Sequence, residues 1–415
     1  MQCAILVDRL DAVSRRHFVA HVVLCRVLEY DPILLHSALS GAFRLLDAQS
    51  CFQPGENILI KPNLLSAVNP DRAVTPHPAV FSALAQVLSS LDLKLSYGDS
   101  PAMSQPAAAA RMAGLTDIAD RMGVAQADFS TSASVRFNQG VHLKEAPIAT
   151  GVLAADGLVN LCKLKTHALT GMTGAVKNLY GIIVGPRKAQ LHVQFPDLQS
   201  FAHMLSDLNR QFAPRLVVMD AIMAMEGNGP MNGKPRPCGW LIIGLDPVAV
   251  DAVGAVIMGY DPGDLLVLKT AQKAGLGQAD PETIRITLLD AVTGETTGQG
   301  SLKEFSGQLE IPDFVRPAVS RSLMTLATTV AGPLIKRHVM ERPAIRSSVC
   351  TRCGQCVKAC PVDPKALTQK LADAVPAYQY DRCIRCYCCQ EICPVGAIVV
   401  EPAWPGRLLA RKLKG

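Results

Sequence analysis

The chain has 415 residues, 49% of them hydrophobic and 18% charged, which excludes a disordered tail and leaves room for two or three domains with a sizeable core. A formal net charge of +6 and an aromatic content of 5% exclude the basic stripe and base-stacking platforms of a nucleic-acid binder. Acidic small molecules or acidic protein partners fit that balance better.

In chain order, residues 1–20 have acidic residues early and no long apolar run before a small-residue cleavage site. They read as an N-terminal extension and not as a secretory signal. Residues 21–311 read as an α/β domain. Short apolar runs at Ile58–Ile60, Leu93–Tyr97, Leu158–Leu164, Leu216–Met219, Leu241–Leu245 and Ile284–Leu289 alternate with helical patterns at Pro32–Ala48, Pro78–Leu91, Ala175–Gly181, Leu198–Phe212 and Val248–Met258. The alternation predicts a largely parallel sheet with helices on both faces. Polar residues gather where the apolar runs end: Lys61 with Asn63, Asp99 with Ser100, Lys163 with Lys165 and His167, Asp220, and Asp246. Ligands of open α/β sheets bind beyond the carboxyl ends of the strands, so these ends together point to a site.

Between Asp156 and Asp197, forty residues hold no carboxylate but carry Lys163, Lys165, Lys177, Arg187 and Lys188, with His167 and His192. At the centre an apparent strand passes through a Gly/Thr loop, with Thr170, Gly171 and Gly174, into a helix start that bears Lys177 and Asn178. Glycines let backbone N–H groups approach an anion, and a helix N-terminus favours negative charge. The loop therefore reads as a phosphate or carboxylate site clamped by Lys165 and Lys177. His167 is the candidate proton donor, tuned near neutral pH by its cationic surroundings. A metal pair of His167 with His192 lacks a third ligand.

From Asp220 to Asp264 the charge reverses. Glu226, in the tight loop Glu226-Gly227-Asn228-Gly229-Pro230, joins the candidate ligand residues, whereas Asp251 reads as a structural helix residue. No G-x-G-x-x-G follows a strand, so a nucleotide cofactor finds no support and any organic cofactor is left open. Residues 312–342 are basic, with Arg316, Arg321, Lys336, Arg337 and Arg342 against Asp313 and Glu341, and read as a helical linker broken at Pro333. The weakly polar stretch Leu323–Ile335 is too short to span a bilayer, so the chain reads as cytoplasmic and not transmembrane.

Five of the fourteen cysteines are scattered, and the other nine fall between Cys350 and Cys393, in a small α+β, ferredoxin-like domain at 343–402 that a basic tail, 403–415, follows. Clustering at metal-ligand spacing argues against disulfides. The motif Cys350-x2-Cys353-x2-Cys356-x3-Cys360-Pro361 recurs as Cys383-x2-Cys386-x2-Cys389-x3-Cys393-Pro394. Three thiolates at two-residue gaps reach three irons of one cubane, while the fourth, followed by proline, points to the other cluster. Two 4Fe-4S clusters are expected, one on Cys350, Cys353, Cys356 and Cys393, the other on Cys383, Cys386, Cys389 and Cys360. Paired zinc ribbons would use C-x2-C pairs but do not explain the full motif twice. Cys388 is left over as a packed thiol.

With these residues in view, the chain resembles the "domain of unknown function 362" family, in its subgroup with a C-terminal two-cluster ferredoxin domain. The resemblance rests on Lys61-Pro62-Asn63-Leu64, Thr75-Pro76-His77-Pro78, Gly98-Asp99-Ser100-Pro101, Lys163-Leu164-Lys165-Thr166-His167, Gly174-Ala175-Val176-Lys177-Asn178-Leu179-Tyr180-Gly181, Met225-Glu226-Gly227-Asn228-Gly229-Pro230 and the two cysteine motifs. It covers nearly all of residues 21–402 and implies iron–sulfur binding and a shared pocket, without naming a substrate.

An electron relay fused to an α/β domain with a basic pocket predicts an oxidoreductase. Electrons from a redox partner protein would reach an anionic small molecule held by Lys61, Lys163, Lys165 and Lys177, with a proton from His167. The alternative is a non-catalytic electron carrier or adaptor that docks on a partner enzyme through the basic linker and tail. A redox sensor is the third reading.

Overall fold

The computed structural model describes residues 20–102, 104–185, 187–317 and 341–401. The N-terminal extension before Ala20, the linker helix expected around Pro333 and the basic tail lie outside the described residues. Ten strands form one sheet: β1 (His21–Arg26), β2 (Asn57–Pro62), β3 (Lys94–Tyr97), β4 (Ala125–Gln126), then, after a separate hairpin of β5 (Ser132–Arg136) and β6 (Glu145–Ala149), β7 (Gly157–His167), β8 (Gly171–Thr173), β9 (Leu216–Glu226), β10 (Lys234–Gly244), β11 (Arg285–Leu289) and β12 (Thr296–Ser301). Their order is β12-β11-β1-β10-β9-β7-β2-β3-β4, with β8 on β7. Every pairing from β9 to β4 is parallel, as is β1 with β11, while β10 runs antiparallel to both of its neighbours.

The strands are apolar on both faces because both faces are covered. Val22 and Leu24 of β1 and Leu59 of β2 point into one core, and Val23, Cys25, Ile58 and Ile60 into the other. The second core is closed by the helices Pro32–Leu46, Pro78–Ser89, Pro106–Met112 and Thr116–Met122. The first is closed by Ala175–Asn178, Leu198–Gln211, Pro247–Ile257, Leu266–Lys273 and Leu302–Leu309. Three of these helices open on Pro32, Pro78 and Pro247, where a missing N–H costs nothing, behind Asp31, His77 and Asp246, whose side chains accept backbone N–H groups. Among the described residues no helix is long and apolar enough to cross a membrane.

The cysteine-rich unit pairs β13 (Arg342–Ile345) with β16 (Ile398–Glu401) and β14 (Leu367–Thr368) with β15 (Ala377–Tyr378), around the short helices Gln355–Ala359 and Cys388–Glu391. It seats on the Glu226–Asn232 loop of the α/β unit. Gln390 Nε2 donates to Asn228 Oδ1 at 2.7 Å and to the Gly229 carbonyl at 3.1 Å, and Asn232 Nδ2 donates to the Cys393 carbonyl at 2.9 Å. The contact places the cysteine motifs over the carboxyl ends of β2, β3 and β7.

Candidate functional site

Strand β7 is buried along its whole length, so Lys163, Lys165 and His167 enter the fold only with partners. Lys163 Nζ lies 2.7 Å from Asp220 Oδ2 and donates to Tyr30 Oη at 3.1 Å, under a Tyr30 ring stacked on His77 at 3.7 Å. Lys61 Nζ lies 2.8 Å from Asp99 Oδ1 and donates to Asn178 Oδ1 at 3.0 Å. Among the described residues Lys165 pairs with no carboxylate: its Nζ donates to Asn63 Oδ1 at 2.5 Å and to the Val74 carbonyl at 2.7 Å. Burial, helped by nearby Lys177, pushes it down to about 7. His167 Nδ1 accepts the N–H groups of Leu169 and Thr170, which places the proton of the neutral ring on Nε2. That Nε2 stands 2.9 Å from Glu391 Oε1, but out of line, so neither atom completes a hydrogen bond. Burial lowers His167 to about 4. Burial and the neighbouring Lys177 both favour the neutral ring, against the pull of Glu391, and this opposes the expected proton donor.

The glycine loop is also committed internally. Thr170 Oγ1 donates to the Met172 carbonyl at 2.7 Å, and Gly171 turns the β7–β8 hairpin at φ 79°, a conformation that favours glycine. At Gly174 a Cβ would collide with the carboxylate of Asp251. That carboxylate accepts the N–H groups of Ala175 at 2.5 Å and Val176 at 3.0 Å. The helix N-terminus expected to cradle an anion holds the chain's own. Asp251→Ala is expected to leave two buried N–H groups unpaired and to cost about 2–3 kcal/mol. Burial raises Asp251 well above the ordinary carboxylate range, to about 7. Between roughly pH 4 and pH 7 the folded chain therefore keeps a proton that the unfolded chain has released, and this group's contribution to stability falls as pH rises. Urea melts across that window are expected to show a shallower pH slope in the variant.

A cavity of about 700 Å³ lies between the strand ends and the cysteine-rich unit. Of the residues expected from sequence, Asn63, Asp99, Lys177 and Asn178 line it. Lys61, Lys163, Lys165, His167, Thr170, Gly171 and Gly174 do not, and Glu226 lies elsewhere, its Oε2 accepting the Val315 N–H at 2.9 Å and its Oε1 3.9 Å from Arg236. Lys188 and His192, on the helix Arg187–Gln194, line the cavity; the sequence marks Lys188 only as a member of the carboxylate-free segment, and His192 also as a metal partner of His167. Lys188 Nζ donates to the Ser100 carbonyl, and burial brings it down to about 8. His192 stacks on Phe201 at 4.7 Å and is lowered to about 4 by burial. Lys177 lines the cavity with no hydrogen bond or ion pair among the described residues. Lys358, Cys360, Cys388 and Glu391 face it from the cysteine-rich unit.

Two smaller cavities lie within that unit. Cys350, Cys353, Cys356 and Cys393 line one, and Cys360, Cys383, Cys386 and Cys389 line the other. Four thiols per cavity, drawn crosswise from the two motifs, match the ligand count of one 4Fe-4S cluster each. At equivalent positions in the motifs the backbone turns left-handed, at Arg352 and Gly354 in the first and at Arg385 and Tyr387 in the second. Such turns aim N–H groups inward at an anionic centre. The Arg352 N–H already reaches Cys350 Sγ at 3.4 Å, and the Ala397 N–H reaches Cys393 Sγ at 3.2 Å. Cys388 lines the large cavity and neither of the small ones.

The family described as Domain of unknown function (DUF362) matches residues 58–256, and the 4Fe-4S dicluster domain matches residues 342–394. A thylakoid-associated protein of Synechocystis sp. is 33% identical over 270 residues, 64% of this chain and 82% of that protein. The chain belongs to the DUF362 family. Within DUF362 it falls in the subgroup with a C-terminal dicluster domain, which makes it an iron–sulfur protein with an electron-transfer module. Two solved structures share weak likeness: a Thermotoga maritima protein at 11% identity and a TM-score of 0.31, covering 60% of this chain and 59% of that one, and the lactate racemase apoprotein of Thermoanaerobacterium thermosaccharolyticum at 13% and 0.28, covering 69% and 55%.

Proposed function

We propose that this DUF362 member is an iron–sulfur oxidoreductase in which two 4Fe-4S clusters, held crosswise by the eight motif cysteines, serve an anionic small molecule bound in the interdomain cavity. One observation carries the reading: Cys360 lines both a four-cysteine cavity and the cationic one. When bound, the clusters supply one-electron transfer. Lys177 and Lys188 hold the anionic group, and Asn63 orients it through the Nδ2 end of its amide, while Asn178 on the same wall is held by Lys61 and Asn160. Lys61 acts from behind, fixing Asp99 and Asn178 without reaching the ligand. Leu65, Phe129 and Pro361 cover the remaining wall and limit water. Lys188, at about 8, releases a proton far more readily than an ordinary lysine and takes the proton-donor role once assigned to His167.

The test uses the cluster-loaded chain under anaerobic conditions against a panel of carboxylates and phosphates, with calorimetry for binding and the visible cluster absorbance for reoxidation. A compound that binds and reoxidises the reduced chain supports the reading. The reading fails if no anion binds in a way that depends on Lys177 and Lys188, or if bound anions never reoxidise it. Below its pKa Lys188 is an ammonium, so affinity is expected to hold through pH 7 and weaken as pH rises through about 8. Lys188→Gln is expected to lower affinity by about tenfold and to remove that pH limb.

The carrier or adaptor reading draws support from the enclosure of Lys163, Lys165 and His167. It requires partner binding that survives every cavity substitution.

A further inference from the structure

The two four-cysteine cavities face different surroundings. The one bounded by Cys360 adjoins the interdomain cavity, and none of its four cysteines is exposed. The other includes Cys353, which is exposed, flanked by exposed Thr351, Pro394 and Val395. Two neighbouring turns widen this face. The Arg346 carbonyl accepts the N–H groups of Val349 and Cys350, which brings exposed Val349 beside the first ligand. Gln369 Nε2 donates at 2.9 Å to the carbonyls of both Arg352 and Ala372, which holds the turn bearing exposed Leu371 against the Cys350–Cys353 loop.

The apolar centre is edged by charge of one predominant sign. Arg346, Arg352 and Lys370 are exposed, and their side chains make no hydrogen bond or ion pair among the described residues. A single exposed carboxylate, Asp373, stands on the same turn. An apolar patch with a charged, solvated rim is the make-up of small transient interfaces, where the rim steers encounter and the centre excludes water.

We propose that this face docks an acidic electron-carrier protein, so that the Cys350, Cys353, Cys356 and Cys393 site is the outer one and the site bounded by Cys360 the inner one. Each encounter oxidises the carrier by one electron and reduces the chain by one. Two encounters supply the electron pair that a two-electron substrate in the cavity requires. The proposal concerns the outer face alone and stands whether or not the cavity binds an anion.

The probe is a plant-type 2Fe-2S ferredoxin of strongly acidic isoelectric point, titrated calorimetrically into the full cluster-loaded chain. Binding is expected to weaken steeply between low and physiological salt, and R346E/R352E/K370E is expected to lower affinity by about tenfold or more. Reduction of R346E/K370E, which leaves the Arg352 turn untouched, by dithionite is expected to match the unchanged chain. Affinity indifferent to salt, or to the charge reversal, overturns the proposal. Should the triple variant fail to hold its clusters, carbodiimide cross-linking of the unaltered chain decides. Ferredoxin carboxylates joined to Lys370 support this face, whereas links confined to Lys358 place the partner at the mouth of the interdomain cavity, links confined to Lys336, Lys412 or Lys414 place it on the linker or tail, and either result overturns the proposal.

Discussion

Cys393→Ser is expected to abolish the cluster whose other ligands lie some forty residues earlier in the chain, leaving Cys383, Cys386 and Cys389, ten residues or fewer away, fully engaged. Iron and acid-labile sulfide should fall to about half, from roughly eight to four of each per chain. The cavity geometry motivates the expectation, since Cys393 lines the same cavity as Cys350, Cys353 and Cys356, and Cys360 lines that of Cys383, Cys386 and Cys389. The variants should therefore sort crosswise in electron paramagnetic resonance. Cys393→Ser should lose the same signal as Cys350→Ser, and Cys360→Ser the same signal as Cys383→Ser. If Cys393→Ser instead pairs with Cys383→Ser, each motif keeps its own cluster and the crosswise arrangement is wrong. Cys356, Cys389 and Cys393 belong to the apolar interior of the unit, so each loss should also loosen its packing. Since Asn232 holds the Cys393 carbonyl and Gln390 holds the Asn228 loop, loosening should spread to the contact between the units. Limited proteolysis reads that second effect independently of the iron content.

The sheet was legible where strands are apolar on both faces, because such strands appear in sequence as continuous runs, as at Ile58–Ile60 and Leu216–Met219. It was illegible where polar residues are buried with partners. β7 continues past Leu164 through Lys165 to His167, and β9 past Met219 through Asp220 to Glu226, because each buried polar group finds its partner, a counter-charge for Asp220 and neutral oxygens for Lys165, only in three dimensions. The same blindness shaped the site. A glycine loop before a helix start has the pattern of an anion cradle, and nothing local reveals that Asp251, 76 residues beyond Ala175, fills it. The helix Arg187–Gln194 is only eight residues long and polar over most of its surface, so it does not stand out in sequence, yet it delivers Lys188 and His192 to the cavity. Its one sequence signal was the run of forty residues without a carboxylate, which marks where a positive potential goes uncompensated but not which lysine supplies it.

Lys61→Met is expected to destabilise the fold by about 3–5 kcal/mol, the usual cost of removing one partner from a buried ion pair. Lys61 is fully buried and Asp99 nearly so, and their heads are 2.8 Å apart. Methionine fills much the same volume but leaves Asp99 with only the N–H groups of Leu64 and Ser100, and leaves Asn178 Oδ1 without the ammonium. On the Gly181 side no replacement partner fits, because the backbone packs so closely that a Cβ there would collide with the Asp99 carboxylate and crowd Lys61 Nζ. Adding Asp99→Asn should recover part of the loss, since it removes the isolated charge while keeping an acceptor for one of the two N–H groups. The contrast is with Lys188→Gln, at a half-buried position on the cavity wall, which should change anion affinity and its pH limb while shifting the urea midpoint little. Should Lys61→Met keep its stability and lose only ligand affinity, then Lys61 contacts the ligand as the strand-end pattern first implied. The buried pair would then open on binding, and the cavity wall would have to move to let it.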